Sequence, residues 1–130
     1  MQFINPDSWS RPRGYNNGVI AQGRVLSLAG QIGWDEAGKF ASDDFTVQAA
    51  QALRNILTIV LAAGGRAENV VRLTWYVTDK PEYLAASTEL GRAYAAIFGS
   101  HYPAMTLVVV AALLEDRAKV EIEATAVLPD

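Results

Sequence analysis

The sequence contains no cysteine and a single histidine, His101, among its 130 residues. The absence of cysteine excludes disulfide bonds, thiolate metal sites, iron–sulfur clusters and cysteine nucleophiles, and one histidine excludes a histidine-rich zinc site. A histidine in a loop can titrate near neutral pH, but a lone one is more often structural or exposed. Any catalysis must therefore use carboxylates, hydroxyls, amides and backbone groups.

Positive charge and long apolar runs are also scarce. Eleven Lys and Arg stand against fourteen Asp and Glu, and no segment concentrates the basic residues as a nucleic-acid partner would require. The longest apolar stretches, Ile56–Ala63 and Met105–Leu114, reach about half of the roughly 20 residues of a membrane-spanning helix. Met1–Pro6 lacks the basic and apolar regions of a secretory signal. We therefore expect a cytoplasmic protein without a nucleic-acid or membrane partner.

The composition suits one folded domain. Apolar residues make up 51% of the chain and charged residues 19%, which is enough apolar material for a core and unlike a disordered chain. The length is that of one ordinary domain, and the sequence has no repeat or linker-like stretch. A single domain over residues 1–130 is predicted.

The first third of the chain predicts a β-hairpin. Val19–Ala21 and Val25–Ala29 are apolar, and Gln22-Gly23 between them suits a tight turn. The preceding segment, Asn5–Gly14, is rich in proline and serine and favours irregular backbone. Trp9 within it is a large apolar side chain, which indicates that the segment packs against another surface.

The rest of the chain predicts two helices and three strands. The helices run from near Asp44 to Ala63 and from the capping box of Asp79 and Glu82 to Phe98, and the strands are Asn69–Val77, Met105–Ala112 and Lys119–Val127. The order β-β-α-β-α-β-β predicts an α+β fold with both helices on one face of the sheet, so the other face needs a partner. The unbroken apolar run of Met105–Ala112 predicts burial on both faces, in a sheet centre or a subunit interface.

Glu121 is the first candidate for chemistry. Glu121 and Glu123 lie on the same side of the last strand, roughly 7 Å apart at the usual rise per residue. A carboxylate partly buried among apolar residues could take a proton from an attacking water molecule. The alternative interpretation is a solvated strand face.

Two further segments could contact a ligand. Gly30-Gln31-Ile32-Gly33 follows a strand, and its glycines would let the backbone approach a ligand, although the segment lacks the full phosphate-binding pattern. Tyr15 stands beside Asn16 and Asn17, and this cluster could be either a recognition element or an ordinary turn.

Several motifs occur in a characteristic order over nearly the whole chain. They are Asn5-Pro6, Arg13-Gly14-Tyr15, Ala29–Gly33, Gln51–Leu57, Ala63-Gly64, Val70–Thr74, Tyr76–Asp79, Tyr102-Pro103-Ala104 and Val120–Ala126. Together they resemble the Rid superfamily, also called YjgF proteins and formerly L-PSP endoribonuclease.

The resemblance implies a chorismate-mutase-like α+β fold with a mixed sheet and two helices packed on one face. It also implies a homotrimer with ligand clefts between subunits, where imines or enamines are hydrolysed to a 2-oxo acid and ammonia without metal or cofactor. Tyr15 matches the family's cleft-lining tyrosine, Gly30 the glycine whose backbone faces the ligand, and Glu121 the glutamate that orients water.

The family's carboxylate-binding arginine is the one clear mismatch. Met105 stands at that position and has neither the charge nor the paired donors that bind a carboxylate. Losing such a charge-assisted contact costs roughly 1.5–3 kcal/mol. Met105 and Leu107 would make that wall of the cleft apolar, and Trp34 would add an aromatic surface, so a neutral or bulkier ligand is expected. The alternative role of Met105 is plain core packing.

Smaller departures also affect the expected ligand. Ala29 replaces the usual serine, and Gly91 is the nearest counterpart of an asparagine on the second helix. A substrate that keeps a carboxylate would need another cation, for which Arg11 and Arg13 are the candidates.

Two functions from different classes follow. The first is a Rid-type hydrolase that releases ammonia from an imine, an enamine or a related aminated metabolite, with Glu121 acting on water. The second is a non-catalytic trimeric protein that binds or senses a small molecule in the same cleft. Ribonuclease activity, suggested by the older family name, is least expected because the chain is acidic.

Overall fold

The computed structural model describes all 130 residues, which form two β-sheets and three α-helices. The strands are β1 (Gln2–Ile4), β2 (Gly18–Ile20), β3 (Arg24–Ile32), β4 (Val70–Val77), β5 (Ala104–Val109) and β6 (Val120–Leu128). The helices are α1 (Phe45–Ala62), α2 (Lys80–Ala85) and α3 (Ser87–Phe98), and a 3₁₀ turn spans Ala67–Asn69.

The main sheet has the strand order β3-β6-β4-β5. β6 runs antiparallel to both β3 and β4, whereas β4 and β5 are parallel and are connected through α2 and α3. The sheet is therefore mixed, and the predicted α+β class is confirmed. The last strand, β6, lies between two strands that precede it in the chain.

The predicted hairpin is wrong. Val19 in β2 pairs with Phe3 in β1, a strand that the sequence pattern did not predict, and Arg24 in β3 pairs with Leu128 in β6. β6 offers β3 a partner along nearly its whole length, and this pairing buries Leu28 in the core. Gln22-Gly23 therefore connects a strand of one sheet to a strand of the other, instead of joining two paired strands. Long-range packing outweighs the local turn preference here.

Helix α1 forms as predicted and covers the sheet. The Asp44 side chain caps it by accepting a hydrogen bond from the Val47 N–H at 3.1 Å. Its buried residues recur at three- and four-residue steps and pack on β3, β6 and α3; they are Phe45, Gln48, Ala49, Ala52, Leu53, Ile56 and Val60. α1 is also the one helix with the length and hydropathy of a membrane span, and its place in the core accounts for both properties.

The second predicted helix is divided in two. Asp79 caps α2 through the Glu82 N–H at 2.9 Å, as the capping box predicted. The helix then breaks at Ala86, and Leu84, which the pattern placed on the apolar stripe, is exposed. The break lets α3 turn Leu90, Tyr94 and Phe98 into the core. A single uninterrupted helix was therefore a wrong prediction.

Strand β5 lies at the edge of the sheet, so the sheet-centre explanation of its apolar run is wrong. Its side chains alternate: Met105 and Leu107 pair with buried Leu73 and Trp75 and face the helices, whereas Val108 is exposed on the opposite face. That opposite face of the sheet, here called the open face, carries no helix. Its coverage by another copy of the chain remains a prediction.

Candidate functional site

A cavity of about 450 Å³ opens on the helix-covered side of the sheet, between β5, α2 and α3. Tyr15, Met105 and Leu107 all line it, so three of the residues predicted from the sequence lie together. The volume is within the range of about 300–1,000 Å³ of small-molecule sites. Met105 and Leu107 are half-buried, and they face this cavity as well as packing against the core.

Aromatic side chains make up much of the cavity wall. Tyr94 and Tyr102 stack with ring centroids 5.1 Å apart, and the Tyr94 hydroxyl donates to the His101 carbonyl at 2.6 Å. Burial raises the pKa of Tyr94 well above its ordinary value. Trp75 also contributes to the wall, and its buried indole N–H has no acceptor in the chain. A buried donor without a partner costs about 1–3 kcal/mol.

The segment that brings Tyr15 to the cavity is fixed to the start of β5. The Asn16 N–H donates to the Pro103 carbonyl at 3.1 Å, and the Asn16 side chain donates to the Tyr102 carbonyl at 2.6 Å. Asn5 donates to the Asn16 side chain at 2.8 Å and accepts from the Asn17 N–H at 2.9 Å. These three asparagines form an amide clasp, so Asn16 and Asn17 have a structural role rather than a recognition role.

Arg13 is the only charged residue that lines the cavity. Gly14, which follows it, has φ +78°, a conformation that glycine adopts without strain and that turns the chain between Arg13 and Tyr15. Arg13 is exposed and its guanidinium forms no salt bridge or hydrogen bond within the chain. Arg11, the other candidate cation, does not line the cavity.

Glu121 and Gly30 lie together, but on the open face rather than in the cavity. Glu121 is half-buried in β6, opposite Tyr76 of β4 and Ile32 of β3. Gly30 sits at an irregularity of β3 between Leu28 and Gln31, and its backbone is so close to Glu121 that a Cβ atom there would collide with the carboxylate. Only glycine lets the backbone and the Glu121 carboxylate approach in this way.

The two glutamates of β6 have different partners. Glu123 accepts a hydrogen bond from the Tyr76 hydroxyl at 2.7 Å, whereas no group of the chain donates to the Glu121 side chain. The hydrogen bond to Glu123 is the main cause that raises the pKa of Tyr76, with smaller contributions from desolvation and from the charges of both carboxylates. The Glu123 carboxylate therefore has a hydrogen-bond donor within the chain, and the Glu121 carboxylate has none.

Trp34 belongs to neither group. It pairs with Phe40 across a short loop, with ring centroids 6.0 Å apart, and Asn55 donates to its carbonyl at 2.8 Å. It does not line the cavity. His101 has a structural contact, because its Nε2 atom lies 2.7 Å from the Val70 carbonyl, which only accepts.

Sequence reasoning did not assign several cavity residues to the site, among them Tyr83, Tyr94 and Ser87. Tyr94 was predicted only as part of the apolar stripe of a helix, and its four-residue spacing to Leu90 and Phe98 gives no sign that its ring also borders a cavity. The position of Tyr83 and Ser87 depends on the break at Ala86, which turns the start of α3 toward β5.

Known proteins resemble this chain in both sequence and structure. Residues 9–128 match the family described as endoribonuclease L-PSP. The chain is 34% identical to a RutC family protein of Pyrococcus horikoshii over 96% of both chains, and 35% identical to the 2-iminobutanoate/2-iminopropanoate deaminase of Salmonella typhimurium over 81% of this chain and 80% of that protein. The crystal structure of the Rid-family protein YyfB of Yersinia pestis superposes with a TM-score of 0.86, at 33% identity over 98% of both chains.

Proposed function

This chain belongs to the endoribonuclease L-PSP family, the Rid superfamily, and on that premise we propose that it is a Rid-type hydrolase that releases ammonia from an imine, an enamine or a related aminated metabolite. The observation that carries the proposal is the free Glu121 carboxylate held against the Gly30 backbone. Two relatives, from Salmonella typhimurium and Homo sapiens, are named 2-iminobutanoate/2-iminopropanoate deaminase, which supports the reaction class.

The reaction makes modest demands on the protein. Water adds to the carbon of the C=N bond while Glu121 accepts its proton, and that proton then passes to the substrate nitrogen. The C–N bond of the resulting amino alcohol then breaks as Glu121 transfers the hydroxyl proton to the leaving nitrogen, which gives a carbonyl compound and ammonia. Because imines already hydrolyse in water, an oriented carboxylate and a shaped pocket are enough to accelerate the step.

The site is completed, in this proposal, by a second copy of the chain. Tyr15 and Met105 lie on the helix-covered side of the sheet, whereas Glu121 and Gly30 lie on the open face. One small substrate cannot touch both groups in a single chain. A homotrimer, with the cavity of one subunit facing Glu121 of the next, would bring them together in three equivalent clefts.

The substrate is proposed to differ from the small imino acids. β5 presents Met105 and Leu107 to the cavity and no cation. An apolar strand favours an apolar substrate group through burial of its surface. The mismatch also favours a second candidate function, a trimeric binding or regulatory protein that uses the same cleft without turnover.

Ammonia release from freshly generated imines tests the proposal. Glu121→Gln removes the proton acceptor and is expected to lower turnover about 10²–10⁴-fold while leaving ligand binding intact. Glu123→Gln is the matched control on the same face of β6 and should retain most of the activity. A Glu121→Gln variant that is as active as the wild type would contradict the proposal. Acceleration of no imine, together with binding of the corresponding 2-oxo acids, would favour the binding protein.

A further inference from the structure

We propose that Arg13 is the carboxylate-binding residue of the cavity, and that the ligand combines a carboxylate with an aromatic or bulky apolar group. The inference rests on the proposed function for the reaction, and it concerns how the cavity binds the carboxylate of the ligand. The cation is supplied by the segment before β2 instead of by β5, where the family's arginine would stand.

The cavity lining carries a single charge. Eight of the twelve residues that line the cavity are hydrophobic, and Arg13 is the only charged one. No carboxylate of the chain pairs with it: the salt bridges are Arg66–Glu68, Arg117–Asp43 and Lys119–Glu82, all elsewhere. An unpaired guanidinium beside an otherwise neutral cavity attracts an anion, and its planar fork matches a carboxylate.

The backbone near Arg13 is attached to the cavity wall. Asn16, only three positions after Arg13, is hydrogen-bonded to Tyr102 and Pro103, the two residues that precede β5. The backbone bridge between Asn16 and Ala104 continues this attachment next to Met105. The Arg13 side chain is exposed, but the backbone that carries it is anchored next to the cavity wall.

The shape of the wall specifies the rest of the ligand. Met105, Leu107 and Leu90 present aliphatic surface, and the rings of Tyr15, Tyr83 and Tyr102 present aromatic surface. The hydroxyls of these three tyrosines have no partner in the chain, so they offer polar contacts at the edge of an apolar pocket. A cavity of about 450 Å³ with this lining accommodates an aromatic side chain.

Binding of phenylpyruvate, a stable aromatic 2-oxo acid, tests the inference by isothermal titration calorimetry. The wild type should bind it more tightly than pyruvate, and Arg13→Ala should weaken it about 10- to 100-fold, the size of a charge-assisted contact. Arg11→Ala, which removes the same side chain two positions away, should leave the affinity unchanged. The methyl ester of phenylpyruvate, which has no carboxylate, should bind the wild type and Arg13→Ala equally.

Other results would overturn the inference. Equal affinities of Arg13→Ala and Arg11→Ala would mean that Arg13 does not bind the carboxylate, and an equal loss for acid and ester would mean that it acts by packing. Failure of the wild type to bind phenylpyruvate would exclude the ligand class. Arg13→Gln, which keeps a polar side chain but removes the charge, replaces Arg13→Ala if the latter does not fold. Since these measurements do not involve turnover, they are independent of the Glu121→Gln result.

Discussion

The two faces of β6 differ in composition and burial although they belong to one strand. The residues that face the helices are at most 5% exposed; they are Val120, Ile122, Ala124, Ala126 and Leu128. The residues of the open face, Glu121, Glu123, Thr125 and Val127, are all half-buried. Because side chains alternate along a strand, one face packs in the core while the other carries the candidate catalytic carboxylate of Glu121. Changes on the open face should therefore affect assembly and chemistry more than the fold of a single chain.

The largest expected effect is the loss of assembly when a charge is placed on the open face. Val25 lies there opposite Val127 and is 69% exposed in the single chain. Val25→Asp would bury an unpaired carboxylate in the proposed subunit interface, which costs several kcal/mol. Size-exclusion chromatography with light scattering should show a change from three chains to one.

The matched control for assembly is Val47→Asp, which makes the same substitution on the outer surface of α1. It should leave the mass of the proposed trimer unchanged. A Val25→Asp protein that keeps the mass of three chains would show that the open face around β3 is not part of the interface.

A smaller effect, on stability, is expected when a valine on either face of β6 is replaced by alanine: Val120 on the helix-covered face or Val127 on the open face. Val120→Ala should lower the free energy of unfolding by about 1.5–3 kcal/mol through lost burial and an added cavity. This loss should be the same at every protein concentration, because Val120 packs within one chain. The effect of Val127→Ala should increase with concentration, because the proposed assembly covers this residue with a second copy of the chain. Chemical denaturation at low and high concentration compares the two, and equal, concentration-independent losses would contradict the difference between the faces.

The smallest effect concerns two tyrosines on opposite sides of the sheet. The pKa of both Tyr76 and Tyr94 is raised, by the hydrogen bond to Glu123 in the first case and by burial in the second. Glu123→Gln should lower the pKa of Tyr76 and leave that of Tyr94 raised. Ultraviolet titration of tyrosinate, with Tyr76→Phe and Tyr94→Phe to assign the signals, measures both, and a parallel change in the two would refute the separate causes.

The raised pKa values of Tyr76 and Tyr94 also determine how the stability of the fold changes with pH in the alkaline range. A raised pKa means that the folded chain holds the tyrosine proton more tightly than the unfolded chain does. The stabilisation is therefore fully present below the unfolded pKa, about 10, and is lost as the pH rises through the folded value. Tyr94→Phe should flatten this alkaline decrease in stability.

The sequence predicted correctly those helices and strands whose buried residues recur at a regular spacing. α1 and β6 could be predicted because their burial follows spacings of 3.6 and two residues. The hairpin failed because the partner of β3 is β6, at the other end of the chain, and no short-range signal at Gln22-Gly23 reveals that choice. The division of the second helix at Ala86 was missed for a similar reason, since the break serves the packing of α3.

The candidate site was predictable only in part. The resemblance pointed to Tyr15, Met105 and Glu121, but the sequence alone does not reveal that these residues occupy two faces of one sheet. Arg11 and Arg13 are equivalent candidates in the sequence, two residues apart. Only the folded chain separates them, because the turn at Gly14 and the amide clasp bring Arg13 to the cavity.

The position of β6 in the sheet also constrains how the chain folds during synthesis. β6 follows every other element in the chain and yet separates β3 from β4, so neither of these strands has its main partner until β6 has been made. The contacts of β3 are therefore among the most distant in sequence, and such contacts slow folding. Until β6 inserts, the edges of β3 and β4 that it will occupy remain unpaired and prone to aggregation. The β4–β5 pair does not need β6, but β3 joins the sheet only after β6 has been made.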